Sequence, residues 1–467
     1  MDALPAQITA PRPYTGKLPT QETAMASPDI YQDYLENYHP HAEEFHQAVK
    51  EVCEDITEEY ESSEAYAEWN IIERLIEPDR IIKFRVSWED DKGKVHVNRA
   101  WRVQFHNLLG AYKGGLRFHP TVNESVLKFL GFEQCFKNAL TGLPMGGAKG
   151  GSDFNPKGKS QREIMRFCQS FMRELYRHIG PDTDVPAGDI NVSSNEIGFM
   201  FGEYLRINNR WEGVLTGKTP GFGGSCGREE ATGYGVIYFL REMLKAHDDS
   251  LSDKRILISG SGNVALHAAE KAISEGAVVL TLSDSGGTLF FKDGITEKEL
   301  DAIKSLKLDK NGRLSEASAG EYQEGKKPWG IENADIALPC ATQNELDDND
   351  AETLLGNEVR ILCEGANMPL TDGARKQFLN ANALYGPAKA ANAGGVAVSG
   401  LERSQNAELT TWPISRVDEE LNRIMKEIHE RCIQHVEKKD GVYPYSRGAN
   451  VYGFKKLAGA MIAHGVG

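Results

Sequence analysis

The stretch "RILISGSGNVALHAAEKAISEGAVVLTLSD", residues Arg255 to Asp284, decides the fold. Its apolar start leads into Ser-Gly-Ser-Gly, a helical segment follows from Asn263, and Gly276 breaks that segment before the apolar run Ala277–Ser283. Strand, glycine turn, helix and strand in this order form a βαβ unit, the building block of a parallel, doubly wound sheet. "ADIALPCA" and "VRILCEGAN" further on are short apolar runs ending in small or polar residues, and they continue the alternation. Gly260, Gly262 and Ala265 fall into the G-x-G-x-x-A pattern directly after the first strand. In that setting the glycines admit the backbone to a pyrophosphate, and the helix start at Asn263 offers unpaired N–H groups at its positive end. A dinucleotide is therefore the expected coenzyme. A carboxylate ending the second strand would bind the 2′-hydroxyl of NAD. Ser283 stands there, which leaves room for a 2′-phosphate and favours NADP(H); a slip of one residue brings in Asp284 and favours NAD(H).

A second glycine-rich stretch raises a different question. "LPMGGAKGGSDFNP" places Lys149 between Gly146-Gly147 and Gly150-Gly151. Glycine is entropically costly to order, so four around one ammonium group need a cause. One reading is a tight turn with a solvated lysine at its tip. The other is a lysine held against a substrate, its pKa lowered by desolvation. Nearby, "YKGGLRFHP" carries Lys113, and "GFEQCFKNALTGLP" carries Gln134 and Lys137. The segment Val126–Leu140 is apolar on most sides, as a buried helix is, and residues three apart such as Gln134 and Lys137 share a face. Each lysine could pair with a protein carboxylate or serve a bound one. "PAGDIN" then sets Asp189 after three small residues, either as a functional carboxylate or as a cap for a helix beginning in "DINVSSNEI".

The remaining chain bounds the function. With 467 residues and a formal net charge of −15, two or three domains are expected and nucleic acid is excluded as a partner. No apolar run reaches the ~18 residues of a membrane span. The seven cysteines are scattered, without CxxC or metal-ligand spacing, which fits a reducing compartment and no structural metal. Residues 1–28, with five prolines, read as a disordered arm before a cytoplasmic protein. Phe45, Val49, Val52 and Ile56 keep helical spacing. Strict alternation from Ile82 to Trp88 and from Val95 to Phe105, across "DDKG", predicts a β-hairpin with one buried face. Arg416–Lys439 reads as a long amphipathic helix.

Taken together, "YKGGLRFHP", "LPMGGAKGG", "PAGDIN", "FGGSCGREEATGYG", "GSGNVA" and "NAGGVAVSG" resemble, in order and spacing, the hexameric glutamate dehydrogenases. The likeness runs from about Asp29 to the C-terminus; the residue before Tyr112, Cys226 and Glu229 are minor departures. It implies an N-terminal α/β substrate and oligomerisation domain over 29–215, a dinucleotide-binding domain over 216–435, and a last helix, 436–467, returning to the first domain. It also implies site roles. Lys149 would be the catalytic lysine and Asp189 the proton carrier for the nitrogen. Lys137, Gln134 and the backbone of Gly188 would hold the α-carboxylate, and Lys113 and Ser399 the distal one. Thr232 and Asn263 would contact the coenzyme beside Gly260, Gly262 and Ser283. The activity implied is reversible reductive amination of 2-oxoglutarate with ammonium and NADPH to L-glutamate by a homohexamer. The alternative is an amino-acid dehydrogenase of the same superfamily acting on an aliphatic or aromatic substrate.

Overall fold

A computed structural model of the chain describes residues 29–466; the proline-rich arm and its Ser27–Pro28 helix start lie outside them. The N-terminal half is built on β1 (Arg80–Glu89), β2 (Val95–His106), β3 (Tyr112–Phe118), β4 (Gly147–Ser152) and β5 (Asp184–Gly188), in the order β1-β2-β4-β3-β5. β1 and β2 form the antiparallel hairpin, Trp88 opposite His96, whereas β3 runs parallel to both β4 and β5. Both faces are covered. Trp101, Val103 and Phe105, alternate residues of β2, pack with helices Glu43–Glu61 and Glu124–Thr141 through Phe45, Val49, Phe132 and Phe136. Val86, Leu116 and Phe118 pack with Phe167, Phe171 and Ile197 of helices Gln161–Leu175 and Ser194–Asn208.

The glycine-rich stretch around Lys149 is not a turn. It is β4, buried along its whole length inside the sheet. The glycines are there because neighbours press against the strand. A Cβ on Gly147 would lie 2.2 Å from Cys135 Sγ of the Glu124–Thr141 helix. One on Gly150 would meet Leu116, the Trp101 carbonyl and the Arg102 side chain at 2.9–3.0 Å. Arg102 needs that space. From β2 it reaches Asp184 on β5 through two hydrogen bonds of 2.8 and 2.5 Å, with both side chains fully buried, and it also donates to the Gly114 carbonyl. A bidentate pair of this kind is among the stronger hydrogen-bonded contacts. Removing one buried partner of such a pair costs about 3–5 kcal/mol.

The second half is a parallel sheet ordered β13-β12-β11-β6-β7. Its strands are β6 (Arg255–Ile258), β7 (Val278–Val279), β11 (Ile336–Leu338), β12 (Ile361–Cys363) and β13 (Leu384–Gly386), all paired in parallel. The apolar run Ala277–Ser283 is split. Its first part is β7; its second, β8 (Thr281–Asp284), leaves the sheet for an antiparallel trio with β9 (Gly287–Phe290) and β10 (Glu321–Glu324). Helices Ala231–Lys245 and Asn263–Ser274 pack so closely that a Cβ on Gly233 would lie 2.5 Å from the Ala268 nitrogen.

The amphipathic C-terminal segment is helix Ile414–Ile433, which buries Val417, Leu421, Ile424, Met425 and Ile428. The last helix is Tyr445–His464, and Val451, Phe454, Leu457 and Met461 enter the cluster around Phe45 and Phe132. Asn450 and Lys455 donate to Asp55 and Glu59 of helix Glu43–Glu61.

Candidate active site

One cavity lies between the halves, and a second, lined by the second half alone, adjoins it. They measure about 520 and 730 Å³ and share Val264, Cys340, Ala341 and Thr342 as common wall. The larger is the nucleotide side. Gly260 adopts φ +88°, a conformation that glycine reaches without strain, and its N–H donates to Ser283 Oγ at 2.9 Å. Gly262 precedes helix Asn263–Ser274, and a Cβ added there would meet nothing within 4 Å. Open space in front of a helix N-terminus is what a pyrophosphate needs. Asn263, Ser283 and Asp284 line the same cavity. Asp284 is committed elsewhere: it accepts N–H groups from Gly286 and Leu314, both at 2.9 Å, while the buried Ser283 presents only a hydroxyl. The residues therefore fit a dinucleotide.

The smaller cavity gathers Lys113, Gln134, Lys137, Lys149, Gly188, Asp189, Thr232 and Ser399. Residues far apart in the chain meet here because β3, β4 and β5 are neighbours and helix Glu124–Thr141 lies across them. Asp189 follows the last residue of β5. The next helix is capped by Ser193, with Glu196 completing a capping box, so the carboxylate of Asp189 is not spent as a cap. Its Oδ2 accepts from Arg117 Nε at 2.7 Å and lies 3.2 Å from Lys149 Nζ. Burial alone would raise its pKa; Lys149 and Arg117 outweigh that and hold it at about 2. Desolvation lowers the pKa of Lys149, opposed by Asp189 and assisted by Arg117.

Two further lysines line the same cavity. Lys137 donates to Asn392 Oδ1 at 2.7 Å and Asn367 Oδ1 at 3.2 Å, and burial brings its pKa to about 8. Gln134, one helical turn away, donates to Asn138 at 2.7 Å. The second, Lys113, 1% exposed, donates to Thr216 Oγ1 at 2.8 Å, and that hydroxyl lies 2.5 Å from Ser399 Oγ. Burial pushes Lys113 well below the usual lysine range.

Sequence reasoning misses four participants. Arg117 and Asn392 lie inside quoted motifs without attracting notice, and Thr216 has no local signature. Arg228 lines the cavity with a buried Nε that has no hydrogen-bond partner among the described residues. Five basic side chains (Lys113, Arg117, Lys137, Lys149, Arg228) thus face one carboxylate, Asp189, in a protein of net charge −15. Such a chamber suits a small substrate with more than one negative charge.

Known proteins resemble this chain in sequence and fold. The family model described as Glutamate/Leucine/Phenylalanine/Valine dehydrogenase matches residues 223–465, and that of the Glu/Leu/Phe/Val dehydrogenase dimerisation domain matches 78–206. An NAD(P)-specific glutamate dehydrogenase of Xylanibacter ruminicola is 54% identical over 91% of this chain and 97% of its own length. The NADP-specific glutamate dehydrogenase of Salmonella typhimurium is 52% identical over 94% of this chain and 98% of its own. The crystal structure of Plasmodium falciparum glutamate dehydrogenase superposes with a TM-score of 0.92 at 48% identity, covering 94% of this chain and 95% of that one. The chain belongs to the Glu/Leu/Phe/Val dehydrogenase family.

Proposed function

We propose that this chain catalyses the reversible reductive amination of 2-oxoglutarate with ammonium and NADPH to L-glutamate. The observation that carries the reading is that Lys113 and Lys137, from separate elements, line the same cavity as the Lys149–Asp189 pair. A dicarboxylate can satisfy both lysines and leave its central carbon beside Lys149 and Asp189. An aliphatic or aromatic substrate would set an apolar side chain against the buried, hydrogen-bonded Lys113–Thr216–Ser399 chain and offer Lys113 no counter-charge, which a site of this kind penalises.

Gly260, Gly262, Asn263, Thr232 and Ser283 would hold the coenzyme, which supplies or accepts the hydride. The chain's own residues do the rest. Lys137, Gln134 and the Gly188 backbone orient the α-carboxylate, and Lys113 with Ser399 the distal one. In the oxidative direction Asp189, ionised across the working pH range, takes a proton from the substrate ammonium. Lys149, its pKa lowered by desolvation, then takes a proton from the water that attacks the iminium carbon. Reductive amination reverses these transfers. Ser283 in place of a carboxylate supports NADP(H) over NAD(H).

The assembly is read as a homohexamer; a relative of known structure, 25% identical, is described as the hetero-hexameric glutamate dehydrogenase of Thermus thermophilus. Among the described residues no helix is long and apolar enough to cross a membrane. A cytoplasmic setting is supported by seven cysteines that are all free. The test is oxidation of NADPH and of NADH by the purified protein with ammonium and either 2-oxoglutarate or 2-oxoisocaproate. Turnover dependent on 2-oxoglutarate and faster with NADPH is expected; preference for 2-oxoisocaproate would overturn the reading.

A further inference from the structure

Asp189 is held from one side only. Its Oδ2 takes both contacts, from Arg117 Nε at 2.7 Å and Lys149 Nζ at 3.2 Å, whereas Oδ1 accepts no hydrogen bond from the described residues. Arg117 owes its place to sheet register. On β3, Leu116 pairs with Gly188 of β5, so Arg117 and Asp189 are each one residue further along parallel neighbours. The opposite edge of β3 pairs Arg117 with Gly151 of β4, two residues beyond Lys149. The guanidinium is largely buried, its side chain 12% exposed.

We propose that Arg117 is a positioning residue that clamps Asp189 by Oδ2, leaves Oδ1 free for the substrate nitrogen, and sets the charge states of Asp189 and Lys149 together. The inference rests on the reading of Lys149 and Asp189 given above and adds a residue to it. Arginine suits the task because it stays charged at any working pH and its planar group fixes the direction of the donated bond. A fixed positive charge beside a carboxylate and an amine favours the ionised acid and the neutral amine, the two forms that amino-acid oxidation needs. Both effects are present: Arg117 lowers the pKa of Asp189 and that of Lys149. Other ionisable groups surround the pair. They are Lys137 and Glu133 on helix Glu124–Thr141, Lys113 on β3, the Arg102–Asp184 pair spanning the sheet, and Arg228 across the cavity. None of them donates a hydrogen bond to Asp189.

The test uses full-length protein, following glutamate oxidation with NADP⁺ as a function of pH in wild type, Arg117→Gln and Arg117→Lys. NADPH fluorescence serves as a control for folding, since Arg117 is not part of the nucleotide cavity wall. The rising limb of kcat, where Lys149 loses its proton, should move to higher pH by about one unit or more in Arg117→Gln, the low end of what a neighbouring charge supplies. In Arg117→Lys the charge remains, so the limb should stay near its wild-type position. Its plateau should drop instead, by up to the order of 10²-fold, as a misplaced reacting group causes. A merely structural role predicts a lower plateau with an unmoved limb in Arg117→Gln, and that result overturns the proposal. If Arg117→Gln fails to bind NADPH, the lysine variant decides: a wild-type plateau and limb there overturn it equally. Wild-type protein that does not oxidise glutamate would strike the reading of the reaction itself, an outcome distinct from either.

Discussion

Replacing Lys113 by leucine and Ser399 by valine tests the distal pole of the site. In the structure Lys113 Nζ, Thr216 Oγ1 and Ser399 Oγ form a chain with spacings of 2.8 and 2.5 Å, all three residues at most 1% exposed. A substrate carboxylate arriving there would receive one contact from the ammonium and one from the serine hydroxyl. Hydrogen bonds to charged groups contribute about 1.5–3 kcal/mol each. Loss of two therefore amounts to roughly 3–6 kcal/mol, a fall in kcat/KM for 2-oxoglutarate on the order of 10²–10⁴-fold at 1.4 kcal/mol per tenfold. Arg228 still faces the cavity, which favours the lower part of that range. The same substitution removes the polar groups that reject an apolar side chain, so activity on 2-oxoisocaproate should rise from its background. It also strips Thr216 of both partners; one unsatisfied buried hydroxyl costs about 1–3 kcal/mol of stability, enough to lower Tm without unfolding the protein. The assay is kcat/KM for the two oxo acids in wild type and double variant, with Tm recorded alongside. Equal losses on both substrates would refute the reasoning, because the pole would then be holding the fold or the closed cleft and not choosing the substrate.

Three further outcomes are expected. Lys149→Ala should lower kcat by at least roughly 10²–10⁴-fold, the usual worth of a proton-transfer group, while NADPH affinity measured by fluorescence stays near wild type. Ser283→Asp keeps an acceptor for the Gly260 N–H but adds a negative charge to the nucleotide cavity; the ratio of kcat/KM with NADPH to that with NADH should drop, and an unchanged ratio counts against Ser283 as the discriminating position. Glu364, buried and accepting from Tyr385 at 2.6 Å and the Ala388 N–H at 2.7 Å, has its pKa raised by burial to about 7. Between the ordinary glutamate value of about 4.3 and that point the folded protein holds a proton the unfolded chain has lost, so stability falls as pH rises through this window. Glu364→Gln should flatten the fall, seen as urea midpoints at pH 5 and 8 that differ less than in wild type.

Much of the fold is legible because it is written in local periodicity. The alternation in Ile82–Trp88 and Val95–Phe105 marks the hairpin, and the spacing of Phe45, Val49, Val52 and Ile56 marks a helix with one buried face. Gly260, Gly262 and Ala265 mark the nucleotide turn because the conformation and the open space are needed at those positions whatever else the chain does. The split of Ala277–Ser283 into β7 and β8 is not legible. It depends on Thr281 and Ser283 side chains bonding the backbone of Ile258 and Gly260, two contacts made across 23 residues. Arg117, Thr216, Arg228 and Asn392 look like ordinary surface or loop residues until β3, the cleft walls and helix Glu124–Thr141 are assembled around them.

Lys149 shows why composition misleads most at the centre of such a site. Four glycines around one lysine read as a loop, since glycine weakens a strand and frees the backbone. β4 is nonetheless a buried central strand, because the pressure on it comes from elsewhere: Cys135 of a helix on one side, Arg102 crossing toward Asp184 on the other. Stripping the neighbours of their side chains has a chemical consequence. From Gly146 to Gly151 only Lys149 carries more than a methyl group, so the position of its amine follows from a strand paired on both edges, with β2 and with β3. A reacting group on a rigid element is placed more accurately than one on a loop. The glycines that let helix and arginine close in also keep water from the amine's surroundings, and desolvation is the main force lowering its pKa. One packing solution thus fixes where the lysine is and lowers its pKa.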